Sequence, residues 1–319
     1  MRVALHVGQL HQRVPGGIGR YVRSLAGALP AAGVDVEPFG AARWPSLRYE
    51  LWHRLRHPVV RAAGDVVHAT SLAVPPPGSR PLVVTVHDLV FVHQPETLTK
   101  RGVSFHRRGL ELARRDAAAI VVPTEFGKRD LVEHGFDAAR VHVAYHGVDV
   151  VPGEPIERQP FVLFVGTIEP RKGVVDLLAA WRRLSGDLRL VFAGPRGWGD
   201  VPDLDQPGIE VLGNVDDARL ADLYRAATVL ALPSRYEGFG LPVLEAMAYG
   251  CPVVVSDAAC LPEVVGDAGT IVPVGDVDAL AGALASPPDG ERGRERANGF
   301  TWARSATAHR AAYEAAMAS

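Results

Sequence analysis

The sequence predicts an α/β protein built of two doubly wound, Rossmann-like domains that face each other across a cleft. Two observations carry that prediction. Short β-branched runs alternate with helical patterns, the signature of parallel sheet covered by helices on both faces. The alternation then stops in "GVDVVPGEPIERQP", a Pro- and Gly-rich stretch without either period, and restarts with a new first strand. The length of 319 residues suits two domains of ordinary size. The expected division is residues 1–152, residues 153–299, and a final helix over 300–319.

The first strand is "RVALHV". A glycine-rich turn, "PGGIG", and the helix "RYVRSLAGAL" follow it. Further strands are "DVVHAT", "PLVVTVHD", "AAIVVPT" and "RVHVAYHG", with helices at "TLTKRGVSFHRRGLELARR" and "FGKRDLVEH". After the linker come the strands "FVLFVGT", "LRLVFAG", "IEVLGN", "TVLALPS", "PVVVSD" and "GTIVPV". The helix "DDARLADLYRAA" and another from Pro242 lie between them. The tail "FTWARSATAHRAAYEAAMA" reads as an amphipathic helix that Phe300 and Trp302 anchor to protein.

A net charge of −2 carries no nucleic-acid signal. Two cysteines, Cys251 and Cys260, are too few for a disulfide scaffold and read as reduced, buried small hydrophobes. No apolar run reaches the eighteen or so residues of a membrane span, and the first residues show no leader pattern. A cytoplasmic protein is expected. The basic helix "TKRGVSFHRRGLELARR" reads either as a solvated face or as a peripheral contact to the inner membrane face.

Ligands of open α/β sheets bind beyond the carboxyl ends of the strands, so chemistry belongs in the loops that follow strands. "RYEGFGLPVLEAMAYG" follows "TVLALPS". Gly238, Phe239, Gly240 and Leu241 form a loop at a helix N-terminus, where free amides and the dipole attract anions. Pro242 suits the first turn. Glu237 precedes the loop and Glu245 lies about one turn into the helix. Acids beside an anion site make sense if they bind hydroxyls, which points to a nucleotide sugar. The competing reading is a capped surface helix with two solvated acids.

"IEPRKG" follows "FVLFVGT" and puts Arg171 and Lys172 at the opening of a helix, against its dipole. They need an anion, such as a diphosphate, or they are solvated. In the first domain Gly16, Gly17 and Gly19 enter the first helix, for close approach to a substrate or simply a tight connection. The dinucleotide spacing is absent, which disfavours a nucleotide-dependent oxidoreductase. His87 ends a strand and either faces the cleft or caps the strand. Thr124 reads as an N-cap, Lys128 offers a weak anion contact near it, and His146 and Gly147 shape the turn at the domain junction. No His/Asp/Glu cluster shows metal-ligand spacing.

These segments resemble the family-4 retaining glycosyltransferases of the GT-B fold, similar to their mannosyltransferase-like subgroup. The resemblance covers nearly the whole chain. It rests on "EGFGLPVLEAMAYGCPVVVSD", which carries the E-x7-E signature at Glu237 and Glu245, and on "GTIEPRKG", "YRAATVLALPS", "LPEVVGDAG", "HGVD" and "GGIGRY". It implies a first domain on the acceptor side, a second that binds the nucleotide sugar, and a final helix that crosses back onto the first. Glu237 would bind donor-sugar hydroxyls, and the backbone of Gly238 to Leu241 the sugar and diphosphate. Glu245 would bind the ribose, and Arg171 and Lys172 the diphosphate leaving group. Gly213 and Val215 would contact the base, and His87 and Gly17 would lie on the acceptor side.

One departure stands out: Thr167 follows Gly166 where many members carry Arg, which places more of the diphosphate on Arg171. The implied reaction moves a hexose from a GDP-mannose or UDP-glucose type donor to a hydroxyl of a glycan, glycolipid or small molecule. It uses no cofactor and no metal. A sugar-nucleotide 2-epimerase and an inactive nucleotide-sugar-binding protein are the rival readings.

Overall fold

The computed structural model describes residues 1–12, 16–40, 45–154, 156–184 and 188–319. Pro15 of the glycine-rich turn and Pro155 of the linker lie outside the described residues. Contacts within the chain divide it into two units. One comprises Met1–Gly147 with Thr301–Ser319, and the other Val148–Phe300.

The first unit holds β1 (Arg2–His6), α1 (Gly16–Ala28), β2 (Asp35–Phe39), α2 (Pro45–Leu55), β3 (Val66–Ala69) and β4 (Leu82–Thr85). α3 (Val90–His93), α4 (Lys100–Asp116), β5 (Ala119–Val122), α5 (Glu125–Glu133) and β6 (Val141–Val143) complete its run before the linker. Its described strands form one parallel sheet in the order β2-β1-β3-β4-β5-β6. β3, β4 and β5 are buried at every position, as continuous apolar runs covered on both faces must be.

β2 is the strand that sequence patterning misses. Its "DVEPF" carries two acids and a proline, which defeats any apolar alternation. Among the described strands it pairs only with β1, placing Pro38 opposite Leu5. A proline is tolerated there because an edge strand has one side with no ladder to donate to.

The final helix, Trp302–Ala318, packs into the first unit, where Trp302, Ala306, Ala312, Tyr313 and Ala316 join the core of α1, β1 and β3. A buried polar chain accompanies this contact. His309 Nδ1 bonds the Ser305 carbonyl at 2.8 Å, so that nitrogen carries the proton. His309 Nε2 therefore accepts from the Tyr21 hydroxyl at 2.9 Å. Tyr21 in turn accepts from Thr85 Oγ1 at 2.8 Å. Thr85 accepts from His68 Nε2, and His68 Nδ1 accepts from the Tyr313 hydroxyl, each at 2.8 Å. Every step follows from the first once both imidazoles are neutral. Burial makes them so: it pushes His309 down to about 4 and His68 well below its ordinary value.

Gly147 closes the same packing, since a β-carbon there would lie 2.2 Å from the backbone nitrogen of Trp302. His146 beside it stacks on the Trp302 ring with centroids 5.9 Å apart.

The second unit holds β7 (Gln159–Val165), α6 (Val174–Trp181), β8 (Arg189–Ala193), β9 (Ile209–Gly213), α7 (Asp217–Ala226) and β10 (Ala227–Leu232). α8 (Leu241–Ala248), β11 (Val253–Ser256), α9 (Leu261–Val265), β12 (Thr270–Val272), α10 (Val277–Ala285) and α11 (Gly290–Ala297) follow. The sheet order is β12-β11-β10-β7-β8-β9, again all parallel among the described strands. This is the dinucleotide-fold order, which reverses direction between the first and fourth strands, here β7 and β10. Cys251 and Cys260 are free and buried in this unit.

Candidate active site

The loops after β7 and β10 emerge side by side because those strands are parallel neighbours. The chain turns left from one and right from the other, which opens a crevice at the strand ends. The first loop carries Glu169, Arg171 and Lys172. The second carries Ser234, Glu237 and Gly238–Gly240, while Leu241, expected in this loop, is already the first residue of α8.

Arg171 and Lys172 do not open a helix, contrary to the expectation. They sit in a 3-10 turn, Pro170–Lys172, and α6 starts only after Gly173. Gly173 has φ of 69°, and a β-carbon there would lie 2.0 Å from the Pro233 carbonyl oxygen. Only glycine lets the β7 loop lie this close against the β10 loop. That contact sets the reach of Lys172.

Neither cation is solvated or waiting for an external anion. Lys172 Nζ donates to Glu237 Oε1 at 2.5 Å, and Ser234 Oγ donates to the same oxygen at 2.8 Å. Arg171 uses one arm on Glu169 Oε1 at 2.5 Å and the other on the Tyr236 carbonyl at 2.8 Å. Two cations and two carboxylates thus form a neutral quartet.

Glu237 is 6% and Lys172 9% exposed, so neither is a surface group. Burial raises the Glu237 carboxyl, but the charges of Lys172 and Arg171 and the bonds from Lys172 and Ser234 outweigh it. The net shift is downward, and Glu237 is an anion at neutral pH. Glu169 Oε2 is buried with no hydrogen-bond partner among the described residues. Arg171 holds only the other oxygen of that carboxylate.

Gly240, with φ of 87°, caps α8, and its carbonyl accepts from the Val243 and Leu244 amides. Pro242 stands in the first turn as expected. Phe239 is buried and meets the Phe300 ring edge-on at 6.2 Å. Glu245 lies within α8, 7% exposed, and accepts from the Tyr224 hydroxyl at 2.8 Å. Tyr224 comes from α7 and stacks on Tyr249, centroids 5.7 Å apart. The reading of two solvated acids on a surface helix therefore fails: both carboxylates are buried and hydrogen-bonded.

Gly213 ends β9 and Val215 lies just after it; β9 lies beyond β8 in the same sheet. Their strand end is on the same edge as the quartet, about 10 Å along at the usual strand spacing. Gly213 has φ of 66° and open space around its α-carbon.

His87 and Gly17 belong to the first unit. His87 Nε2 donates to the Thr70 carbonyl at 2.9 Å and ties the loop after β4 to the loop after β3. Its ring meets Tyr21 edge-on at 4.9 Å, and burial lowers its pKa. The imidazole is thus neutral, with its proton committed to a backbone bond. Gly17 is exposed in the first turn of α1.

Sequence reasoning missed Glu169, Ser234 and Tyr224. Glu169 stands inside the quoted "IEPRKG" and Ser234 three residues before Glu237, so both lay within view. Tyr224 opens the quoted "YRAATVLALPS", but its bond to Glu245 has no local signal, because α7 and α8 meet only in the fold.

Two family models match. The one described as glycosyl transferases group 1 spans residues 159–286, and the one described as glycosyltransferase family 4 spans residues 15–151. The O-antigen chain mannosyltransferase B of Escherichia coli is 34% identical over 253 residues, which is 69% of this chain and 66% of that protein. The chain thus spans just under two thirds of that relative, and about half of other curated relatives it matches. Among solved structures, a sucrose-phosphate synthase from Thermosynechococcus elongatus superposes with a TM-score of 0.75 at 22% identity, over 98% of both chains. Anabaena HepE, in complex with UDP and glucose, superposes with a TM-score of 0.70 at 18% identity, over 98% of both chains. These likenesses establish the fold as that of GT-B glycosyltransferases. With both halves matched in order by their models, the chain belongs to the glycosyltransferases of group 1 and family 4.

Proposed function

We propose that the chain transfers a hexose from a nucleoside diphosphate sugar to an acceptor hydroxyl, with retention of anomeric configuration. The observation that carries this reading is the quartet of buried Glu237, Lys172 and Glu169 with partly buried Arg171 at the switch point between β7 and β10.

A neutral quartet suits a dianionic ligand that also brings hydroxyls. The diphosphate competes for Lys172 and Arg171, and the carboxylates it displaces turn to hydroxyl donors. Glu237 takes those of the sugar and Glu245 those of the ribose, while the α8 end with Gly238, Phe239, Gly240 and Leu241 faces the phosphates. Gly213 and Val215 serve the base. As the bond from the anomeric carbon to the diphosphate oxygen breaks, charge grows on that oxygen, and Lys172 and Arg171 stabilise it. The bond to the acceptor oxygen forms on the same face, and the acceptor proton passes to the departing phosphate. The donor is a substrate, and the scheme uses no cofactor or metal. His87 and Gly17 are assigned to the acceptor side on the family resemblance.

The similarity to an O-antigen mannosyltransferase supports GDP-mannose, and the fold shared with HepE supports a UDP-glucose type donor. The test is a donor panel with nucleotide release as readout. One nucleotide sugar is expected to be hydrolysed slowly without acceptor, and the product anomer, read by NMR, should match the donor. No turnover and no binding of any donor would sink the proposal, and an inverted anomer would remove its retaining part.

None of the described helices is long and apolar enough to cross a membrane. α4 exposes Lys100, Arg101, Arg107, Arg108, Arg114 and Arg115 along one face, and we extend the proposal to a peripheral contact with anionic lipid there. Sedimentation with anionic vesicles at low salt checks it, and protein left in the supernatant dismisses it.

A further inference from the structure

We propose that His93, Asp130 and His134 form a binding site for a divalent first-row transition ion of the zinc type. This site lies in the first unit and plays no part in the chemistry proposed above.

His93 is the last residue of α3, in the segment that follows β4. Asp130 lies in α5, which follows β5, and His134 caps the end of that helix. β4 and β5 are parallel neighbours, so the segments leaving them run close together. Asp130 and His134 stand four residues apart and share one face of the helix.

The ligand atoms converge. His93 Nε2 lies 2.9 Å from both Asp130 oxygens. His134 Nδ1 lies 3.2 Å from Asp130 Oδ1 and 2.8 Å from the Asp130 carbonyl. One atom from each of the three side chains falls within a sphere in which all separations are below 4.8 Å. Bonds of ~2.0–2.1 Å to a tetrahedral ion put its ligands roughly 3.3 Å apart. The observed carboxylate–imidazole separations therefore need adjusting by only a few tenths of an ångström. The two imidazoles stand at 88° to each other, which lets both point at one centre without stacking.

The donor set selects the ion. Two imidazole nitrogens and one carboxylate oxygen suit zinc, cobalt or nickel, whereas magnesium and calcium require mostly oxygen. With an ion bound, each imidazole would carry its proton on the nitrogen away from the ion, and water would complete the shell. Asp130 is 6% exposed, so its carboxylate is held in place before any ion arrives. His93 and His134 are more open, with side-chain exposures of 37% and 32%, and give the ion its entry path. Binding would staple α3 to α5. The sequence showed no such cluster because His93 is 37 positions from Asp130.

The test is titration of untagged, chelator-treated full-length protein with Co2+. One ion per chain is expected, with the visible absorption of a low-coordinate site. Zn2+ should displace it, Mg2+ should not, and Zn2+ should raise the melting temperature. The chain has 12 histidines, so variants must locate the ion. His93→Ala and His134→Ala should each weaken cobalt binding about tenfold or more. Metal-free melting temperatures of both variants, measured alongside, separate loss of the ion from loss of the fold. Cobalt binding unchanged in both variants would move the ion elsewhere and overturn the proposal. So would the absence of any spectral change at millimolar Co2+.

Discussion

The two units are both parallel six-stranded sheets, yet their switch points treat polar groups in opposite ways. In the second unit the order reverses between β7 and β10, and the loops there bury a lysine and two glutamates and partly cover an arginine. In the first unit the order reverses between β1 and β3. Around it lie a cavity of about 600 Å³, lined by Gln9, Gln12, Ser71, Thr99 and His106 among others, and the buried imidazoles of His6 and His68.

The second unit keeps its charges by pairing each with its opposite. The first keeps almost none, because burial strips its histidines of their protons: His6, like His309, is pushed down to about 4. Burying an ion costs several kcal/mol unless a partner offsets it, and a histidine escapes that cost simply by staying neutral. Charge in the second unit is therefore expensive to hold, which makes it informative about function. The buried His68 and His309 of the first unit are explained by packing and hydrogen bonding.

That contrast can be broken most severely at Lys172. Lys172→Ala should cut transfer about 10²–10³-fold and, by leaving Glu237 buried and unpaired, destabilise the protein by about 3–5 kcal/mol. Adding Glu237→Gln should restore much of the stability and none of the transfer. Steady-state rates and urea unfolding of the two variants separate these effects. Normal turnover in Lys172→Ala would refute the site.

The first unit should respond to acid instead. His309 has a folded pKa near 4 against about 6.5 unfolded, so below pH 6.5 the unfolded chain binds the proton that the folded one refuses. Its contribution is full above pH 6.5 and declines as pH falls toward about 4, by up to ~1.4 kcal/mol per pH unit. His309→Gln should flatten this slope in melts at pH 7 and pH 5. Identical slopes in parent and variant would show that the imidazole is not held neutral.

Gly173→Ala tests whether close approach of two loops builds the quartet. A cost of about 1–3 kcal/mol is expected from its left-handed backbone, together with weakened donor binding in calorimetry. Full affinity in that variant would uncouple the glycine from the site. The smallest effect belongs to Thr124, whose side chain accepts from the Gly127 amide at 3.0 Å and caps α5. Thr124→Ala should cost about 1 kcal/mol and leave transfer unchanged. A loss of transfer there would place α5 in the machinery.

How much of this was legible beforehand differs between groups. Thr124 was readable as a cap because its bond is made three residues away, within one turn. Glu237 and Glu245 were readable as a pair because the E-x7-E spacing belongs to one loop and one helix. Arg171 and Lys172 were visible as cations after a strand, but their partners were not. Lys172 meets Glu237 across 65 positions, and Tyr21 meets His309 across 288.

The sequence by itself determined that strands alternate with helices, that the pattern breaks in a Pro- and Gly-rich stretch and restarts at the strand "FVLFVGT", and that acids, cations and glycines occupy the loops after strands. Those are properties of local period and turn chemistry. The tertiary structure alone decided that β7 lies against β10, that the two cations are neutralised by two buried glutamates, and that His93 reaches Asp130. Each of these follows from which parallel strands become neighbours, and strand order is set by the packing of whole faces rather than by any local stretch of chain.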